Sequence, residues 1–103
     1  MTERAFQKDV VKWLRAQHDV LLVHVSNGGA WGVRGRSAGA RKGVADLILC
    51  VRGQFVAIEL KAPGGKQKPE QKDFEADVFR AMGRYVVARS LEDVQLAVME
   101  ARA

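Results

Sequence analysis

The sequence predicts an α/β fold in the order α-β-β-β-α-β-α, with a central sheet flanked by helices on both faces. Three observations lead there. Residues 46–51 and 54–60 are apolar at successive positions, so both faces of the strands they form are expected to be covered. Apolar residues recur at helical spacing near the N-terminus and again after Pro69, and a capping pattern at Ser90 opens a third helix. Turn signals at Arg52-Gly53, Ala62-Pro63-Gly64-Gly65 and Gly83 separate these runs.

Taken in order, Thr2 is placed to cap a first helix reaching about Gln17, with Phe6, Val10, Trp13 and Leu14 as its inward stripe. Glu3 and Gln7 extend that stripe; a first-turn glutamate is either favoured by the helix dipole or aimed at a site. Val20 to Val25 reads as a strand ending at Ser26-Asn27-Gly28-Gly29. His24 within it is expected to be a core or edge histidine, and His18 a helix C-terminal residue complementing the dipole. The central pair of strands divides into Ile48, Cys50, Phe55 and Ala57 on one face and Leu47, Leu49, Val51, Val56, Ile58 and Leu60 on the other. Pro69 fits the first turn of a second helix whose stripe is Phe74, Val78, Ala81 and Met82 and which Gly83 is expected to end. Residues 84–88 form a further strand, and the last helix runs from Ser90 to about Arg102.

Composition narrows the function. The chain has 103 residues, a length for one domain, and its 48% apolar content is that of an ordinary globular chain. Its apolar runs are too short to cross a bilayer, and the charged N-terminus has no signal-peptide core. One cysteine, Cys50, falls inside a strand and is expected to be a buried, inert thiol; no disulfide framework or zinc spacing exists, and a cytoplasmic location is expected. A net charge of +5 favours a polyanionic partner. The charge is grouped: Arg34, Arg36, Arg41 and Lys42 lie in an acid-free, glycine-rich segment spanning 26–44, and Lys61, Lys66, Lys68 and Lys72 form a second group. In the first, glycines let backbone approach a ligand and arginines offer bidentate contacts to phosphate. Trp31 there can stack on a base or fold back on the core. Neither a Walker A loop nor a dinucleotide fingerprint is present.

The sharpest signal lies between the two basic groups. If Arg52-Gly53 is a two-residue turn, Val51 pairs with Gln54, and counting outward sets Asp46 opposite Glu59. Like charges facing each other there are destabilising. Alternation puts Lys61 on the face of Glu59. Two carboxylates beside one ammonium, on otherwise apolar strands, call for a counter-ion, and a divalent cation is the natural one. A carboxylate pair also suits glycoside hydrolysis, but that reading leaves Lys61 and the basic loops unexplained.

The pattern Glu3-x-x-Phe6-Gln7, Asn27-Gly28-Gly29, Gly43-Val44-x-Asp46-Leu47, Ile58-Glu59-Leu60-Lys61 and Gln71-x-x-Phe74 resembles the VRR-NUC (virus-type replication-repair nuclease) domain of the PD-(D/E)xK nuclease superfamily. The resemblance covers nearly the whole chain in order and implies one domain over residues 1–103 with a mixed central sheet. Ala45 stands where the superfamily commonly has proline before the motif acid. The implied activity is Mg²⁺- or Mn²⁺-dependent hydrolysis of DNA phosphodiester bonds, with no organic cofactor and no membrane partner. Asp46 and Glu59 would hold the metal, with Glu3 and the Leu60 carbonyl completing its shell. Lys61 would act on the attacking water, and Gln71 would support. Asn27, Arg34, Arg36, Arg41, Lys42, Lys66 and Lys68 are the expected DNA contacts. Stand-alone members resemble junction resolvases, which implies a homodimer acting on branched DNA such as a four-way (Holliday) junction, in a bacterial host cell or encoded by a phage. The rival expectation is a non-catalytic nucleic-acid-binding module on the same fold, against which the intact Asp46, Glu59 and Lys61 weigh.

Overall fold

The computed structural model describes residues 2–26 and 41–103; expectations resting on Asn27, Trp31, Arg34, Arg36 and the glycines between them lie outside the described residues. Helix α1 (Glu3–Arg15) begins where Thr2 Oγ1 accepts the Ala5 N–H at 3.0 Å. It ends two residues earlier than the spacing predicts, because the N–H groups of Ala16 and Gln17 turn back to Trp13 and Leu14. Strands β1 (Val20–Val25), β2 (Leu47–Val51) and β3 (Gln54–Leu60) follow, then α2 (Pro69–Arg80), β4 (Arg84–Ala88) and α3 (Leu91–Arg102).

The four strands form one mixed sheet in the order β1-β2-β3-β4, antiparallel except for the parallel β3–β4 pair. Arg52 (φ 51°) and Gly53 (φ 85°) both have the positive φ of a tight hairpin turn. The register is the predicted one, from Val51 opposite Gln54 to Leu47 opposite Ile58.

Both faces are covered, by different partners. Leu47, Leu49, Val51, Val56, Ile58 and Leu60 pack with Phe6, Val10 and Leu14 of α1 and Val94, Val98 and Ala101 of α3. Ile48 and Ala57 pack on the other face with Ala45, Tyr85 and Val78 of α2. This side is thinner, leaving Cys50 half-buried rather than buried and Phe55 42% exposed.

The C-terminus of α2 departs from expectation. Its buried stripe is Val78 with Phe74 partly covered, whereas Ala81 is exposed and Met82 is 83% exposed. The Met82 and Gly83 N–H groups return to the carbonyls of Phe79 and Val78 at 3.0 and 2.9 Å, the paired closure of a Schellman motif. Met82, with φ 72°, holds the left-handed position usually given to glycine. Gly83 serves packing: a Cβ there would lie 2.9 Å from Phe55 Cδ1 and 3.0 Å from Val78 Cγ1.

Candidate active site

The ladder that orders the core also assembles the charged cluster. One step beyond Leu47 and Ile58 come Asp46 and Glu59, on the face that carries Ile48 and Ala57. Asp46 ends β2 by replacing backbone with side chain: its Oδ2 accepts the Leu60 N–H at 2.8 Å. N–H and C=O of one residue in an extended strand point to the same edge, so the Leu60 carbonyl also faces the Asp46 side. The Asp46 carbonyl accepts the Ser26 N–H at 2.8 Å, and the Lys61 N–H donates to Ala88 at 3.0 Å. Neighbouring strands thus brace the cluster on both flanks.

Glu59 is 3% exposed. Its Oε2 accepts from Gln71 Nε2 at 3.0 Å and lies 3.7 Å from Lys61 Nζ, while Oε1 is buried with no hydrogen-bond partner among the described residues. Burial, reinforced by the charge and hydrogen bonding of Asp46, pushes the Glu59 carboxyl from 4.5 up to about 8, against the pull of Lys61. The carboxyl therefore retains a proton near neutral pH where nothing else offsets the Asp46 charge. This donor set fits a small hard dication. It offers two carboxylates, one with an unmatched buried oxygen, and a backbone carbonyl at the same corner, and Mg²⁺ or Mn²⁺ prefers oxygen ligands.

Gln71, at the third position of α2, is oriented without ambiguity. Its Oε1 accepts the Lys68 N–H at 2.8 Å, which leaves the amide nitrogen as the group that meets Glu59. A second polar chain, not anticipated from sequence, runs beside it. Gln67 Nε2 donates to Glu75 at 3.1 Å and to the Tyr85 hydroxyl at 3.3 Å, and burial raises the Tyr85 phenol to about 12. Arg89 Nη1 donates to the Ala62 carbonyl at 2.9 Å, tying the end of β4 to the segment that follows Lys61. The one local hint was a tyrosine in the apolar stretch 84–88; the glutamine and arginine partners follow from the crossover alone.

The remaining predicted residues are placed as follows. Glu3 is exposed in the first turn of α1, a helix packed on the opposite face, and among the described residues no third His, Cys, Asp or Glu gathers with Asp46 and Glu59. The dipole reading accounts for Glu3 as it stands. Gln7 reaches the site's flank, donating to the Ser26 carbonyl at 2.9 Å. Lys42, Lys66 and Lys68 are exposed, as is Lys72. Arg41 is engaged with α2: it pairs with Asp77 at 2.6 Å and stacks 5.2 Å from the Phe74 ring centre. Beside it Gly43, at φ 81°, approaches so closely that a Cβ would lie 2.3 Å from the Glu70 carbonyl oxygen. Asn27, Arg34 and Arg36 lie outside the described residues.

No family model and no curated protein matches the sequence. Solved structures do match. One described as a VRR_NUC domain protein superposes with a TM-score of 0.71 at 22% identity, covering 98% of this chain and 88% of its own. Another, described as a VRR_NUC domain, gives a TM-score of 0.57 at 20% identity, covering 94% and 90%. With its mixed four-stranded sheet, helices on both faces and an Asp-Glu-Lys cluster where β2 and β3 part, this chain has the fold of VRR-NUC domains.

Proposed function

We propose that this chain is a Mg²⁺- or Mn²⁺-dependent DNA endonuclease that hydrolyses phosphodiester bonds, selects branched DNA such as four-way junctions, and acts as a homodimer. The observation that carries the reading is the Asp46–Glu59 pair: two carboxyls held together at the end of buried strands, where burial and Asp46 oppose ionisation of Glu59 and its Oε1 has no hydrogen-bond partner outside the pair among the described residues. A packed interior leaves such a group unmatched at a cost of about 1–3 kcal/mol or more. A cation at that corner removes the cost.

In this reading Asp46, Glu59 and the Leu60 carbonyl would hold the ion, with Glu3, exposed at the start of α1, outside that set. The bound ion supplies an activated water and charge neutralisation at the phosphate. Lys61, largely buried and 3.7 Å from Glu59, is restrained to the same face and offers its ammonium to the water and to the charge that develops on the phosphate. Gln71 keeps Glu59 aimed by occupying the other carboxylate oxygen. Exposed lysines at 42, 66, 68 and 72 supply backbone affinity without reading sequence. Selection of branched DNA by a dimer rests on the resemblance to junction resolvases, supported by an edge strand, β1, that leaves Leu21 and Val23 exposed.

The test is cleavage of labelled four-way-junction, flap and linear duplex DNA with Mg²⁺, Mn²⁺ or EDTA. Metal-dependent cutting is expected from the wild type, favouring the junction, with losses of about a hundredfold or more in Lys61→Ala and Asp46→Asn. Binding without cutting under every metal condition would replace this reading with the non-catalytic module. Equal cutting of junction and duplex by a monomer would remove junction selectivity and the dimer.

A further inference from the structure

Strand β1 contains an irregularity that has no part in the core. Leu21 stands opposite Cys50 and Leu22 opposite Leu49, but the next pair is His24 with Ile48, followed by Val25 with Leu47. Val23 is therefore an extra residue, a β-bulge. Side chains alternate along a strand, so without the bulge His24 would share the face of Leu22. That face is the apolar core under α1 and α3, and it is Val25 that joins Leu22 there instead. The bulge turns His24 onto the opposite face, with Ile48 and, one row further, Asp46. The Ser26 N–H to Asp46 bond of 2.8 Å fixes that next row. Rows on one face recur at about 7 Å.

Among the described residues no hydrogen bond or ion pair of the His24 or Val23 side chain compensates the irregularity. It interrupts the ladder and leaves one residue, Val23, without a cross-strand partner on β2. The imidazole it re-aims has no hydrogen bond or ion pair among the described residues and is only half-buried. Of the two expectations from sequence, a core or an edge histidine, the half-buried position on the outermost strand fits the edge one, and a histidine serving the core alone would have found a partner or yielded to an aliphatic residue. Position is nevertheless controlled, because Gln7 of α1 holds the end of β1 through the Ser26 carbonyl at 2.9 Å.

We propose that His24 is a substrate-contacting residue of the nuclease site, whose ring N–H donates to a phosphate oxygen of the DNA strand lying across Asp46 and Glu59. The assignment rests on the nuclease reading and adds to it a contact from β1, a strand that contributes none of the other site residues.

The test compares wild type with His24→Ala, His24→Leu and His24→Asn in cleavage kinetics, DNA binding in EDTA, Mn²⁺ titration calorimetry and thermal melting. Loss of one phosphate contact is expected to lower kcat/KM about tenfold in His24→Ala and His24→Leu. His24→Asn, which keeps an N–H donor, recovers part of the loss. Mn²⁺ affinity and Tm stay at wild-type values, because neither metal ligand nor core is touched. Wild-type kcat/KM in His24→Leu would overturn the proposal, as would a loss matched by a fall in Tm or Mn²⁺ affinity. Should the wild type cut no DNA at all, the nuclease reading fails separately, and binding then decides: weaker DNA binding by His24→Leu upholds the contact and equal binding refutes it.

Discussion

At the scale of single residues, Glu59 concentrates the chemistry. Its folded-state pKa, about 8, lies above the ordinary 4.5, so the folded chain binds a proton more tightly than the unfolded one. The associated stability is fully present below about pH 4.5, declines as the pH rises toward 8, and is flat beyond. In metal-free buffer, wild-type Tm should fall across that window, and Glu59→Gln should not share this component of the fall. Saturating Mg²⁺ or Mn²⁺ should reverse the wild-type loss, since the cation displaces the proton and its affinity rises with pH. Melting of both proteins from pH 5 to 9, with and without metal, measures this; identical profiles would mean that Glu59 is not the titrating group. The Asp46–Glu59 pairing was legible in sequence because strand register follows from counting outward along two apolar runs. The further partner of Glu59, Gln71, was expected only through the family resemblance, because its contact depends on how α2 docks, which no local pattern encodes.

At the scale of elements, most boundaries follow local rules, and the exceptions have physical causes. Thr2 and Ser90 cap their helices as read, the serine accepting the Asp93 N–H at 3.2 Å. The end of α2 departs from the sequence pattern because glycine is the expected left-handed residue, whereas here Met82 takes that conformation and Gly83 makes room for Phe55 and Val78. Met82→Gly should relieve about 1–2 kcal/mol of backbone strain and return about half of that as unfolded-chain entropy, for a net gain of about 0.5–1 kcal/mol. Gly83→Ala should cost about 1–3 kcal/mol through overpacking. Urea midpoints at constant m-value measure both; a destabilised Met82→Gly would show that the Met82 side chain contributes more than its backbone costs. The bulge in β1 carried no sequence marker, since its extra residue is a valine in an apolar run rather than a glycine.

At the scale of the whole molecule, charge is organised at both ends of the β2–β3 ladder with opposite pH responses. Near the hairpin turn, Asp19 accepts from Arg102 Nε and Nη2 at 2.9 Å each and from Arg52 Nε at 2.9 Å, joining the entry to β1, the turn and the last helix. The Arg102 hydrogen bond, helped by Arg52, holds the Asp19 carboxyl well below the usual carboxylate range. That stability is present above the unfolded pKa of about 4 and is lost as the pH falls below it. Asp19→Asn should therefore lower the urea midpoint at pH 7 and leave a smaller loss between pH 4 and 2 than the wild type suffers. Parallel acid titrations would reject the role. The overall fold was legible because the double-faced apolar strands demand two helical layers; the unequal thickness of those layers was not, since it depends on which helix each face receives.

The turn at Arg52-Gly53 stands five residues, about 17 Å, from the carboxylates whose opposition it sets. A lineage that gains or loses one residue there keeps Asp46, Glu59 and Lys61 in its alignment yet shifts one strand against the other, turning one acid to the opposite face of the sheet from its former partner. Drift thus has a route to dismantle the carboxylate pair that leaves every motif residue unchanged, and turn length becomes as diagnostic of an intact pair as the acids themselves.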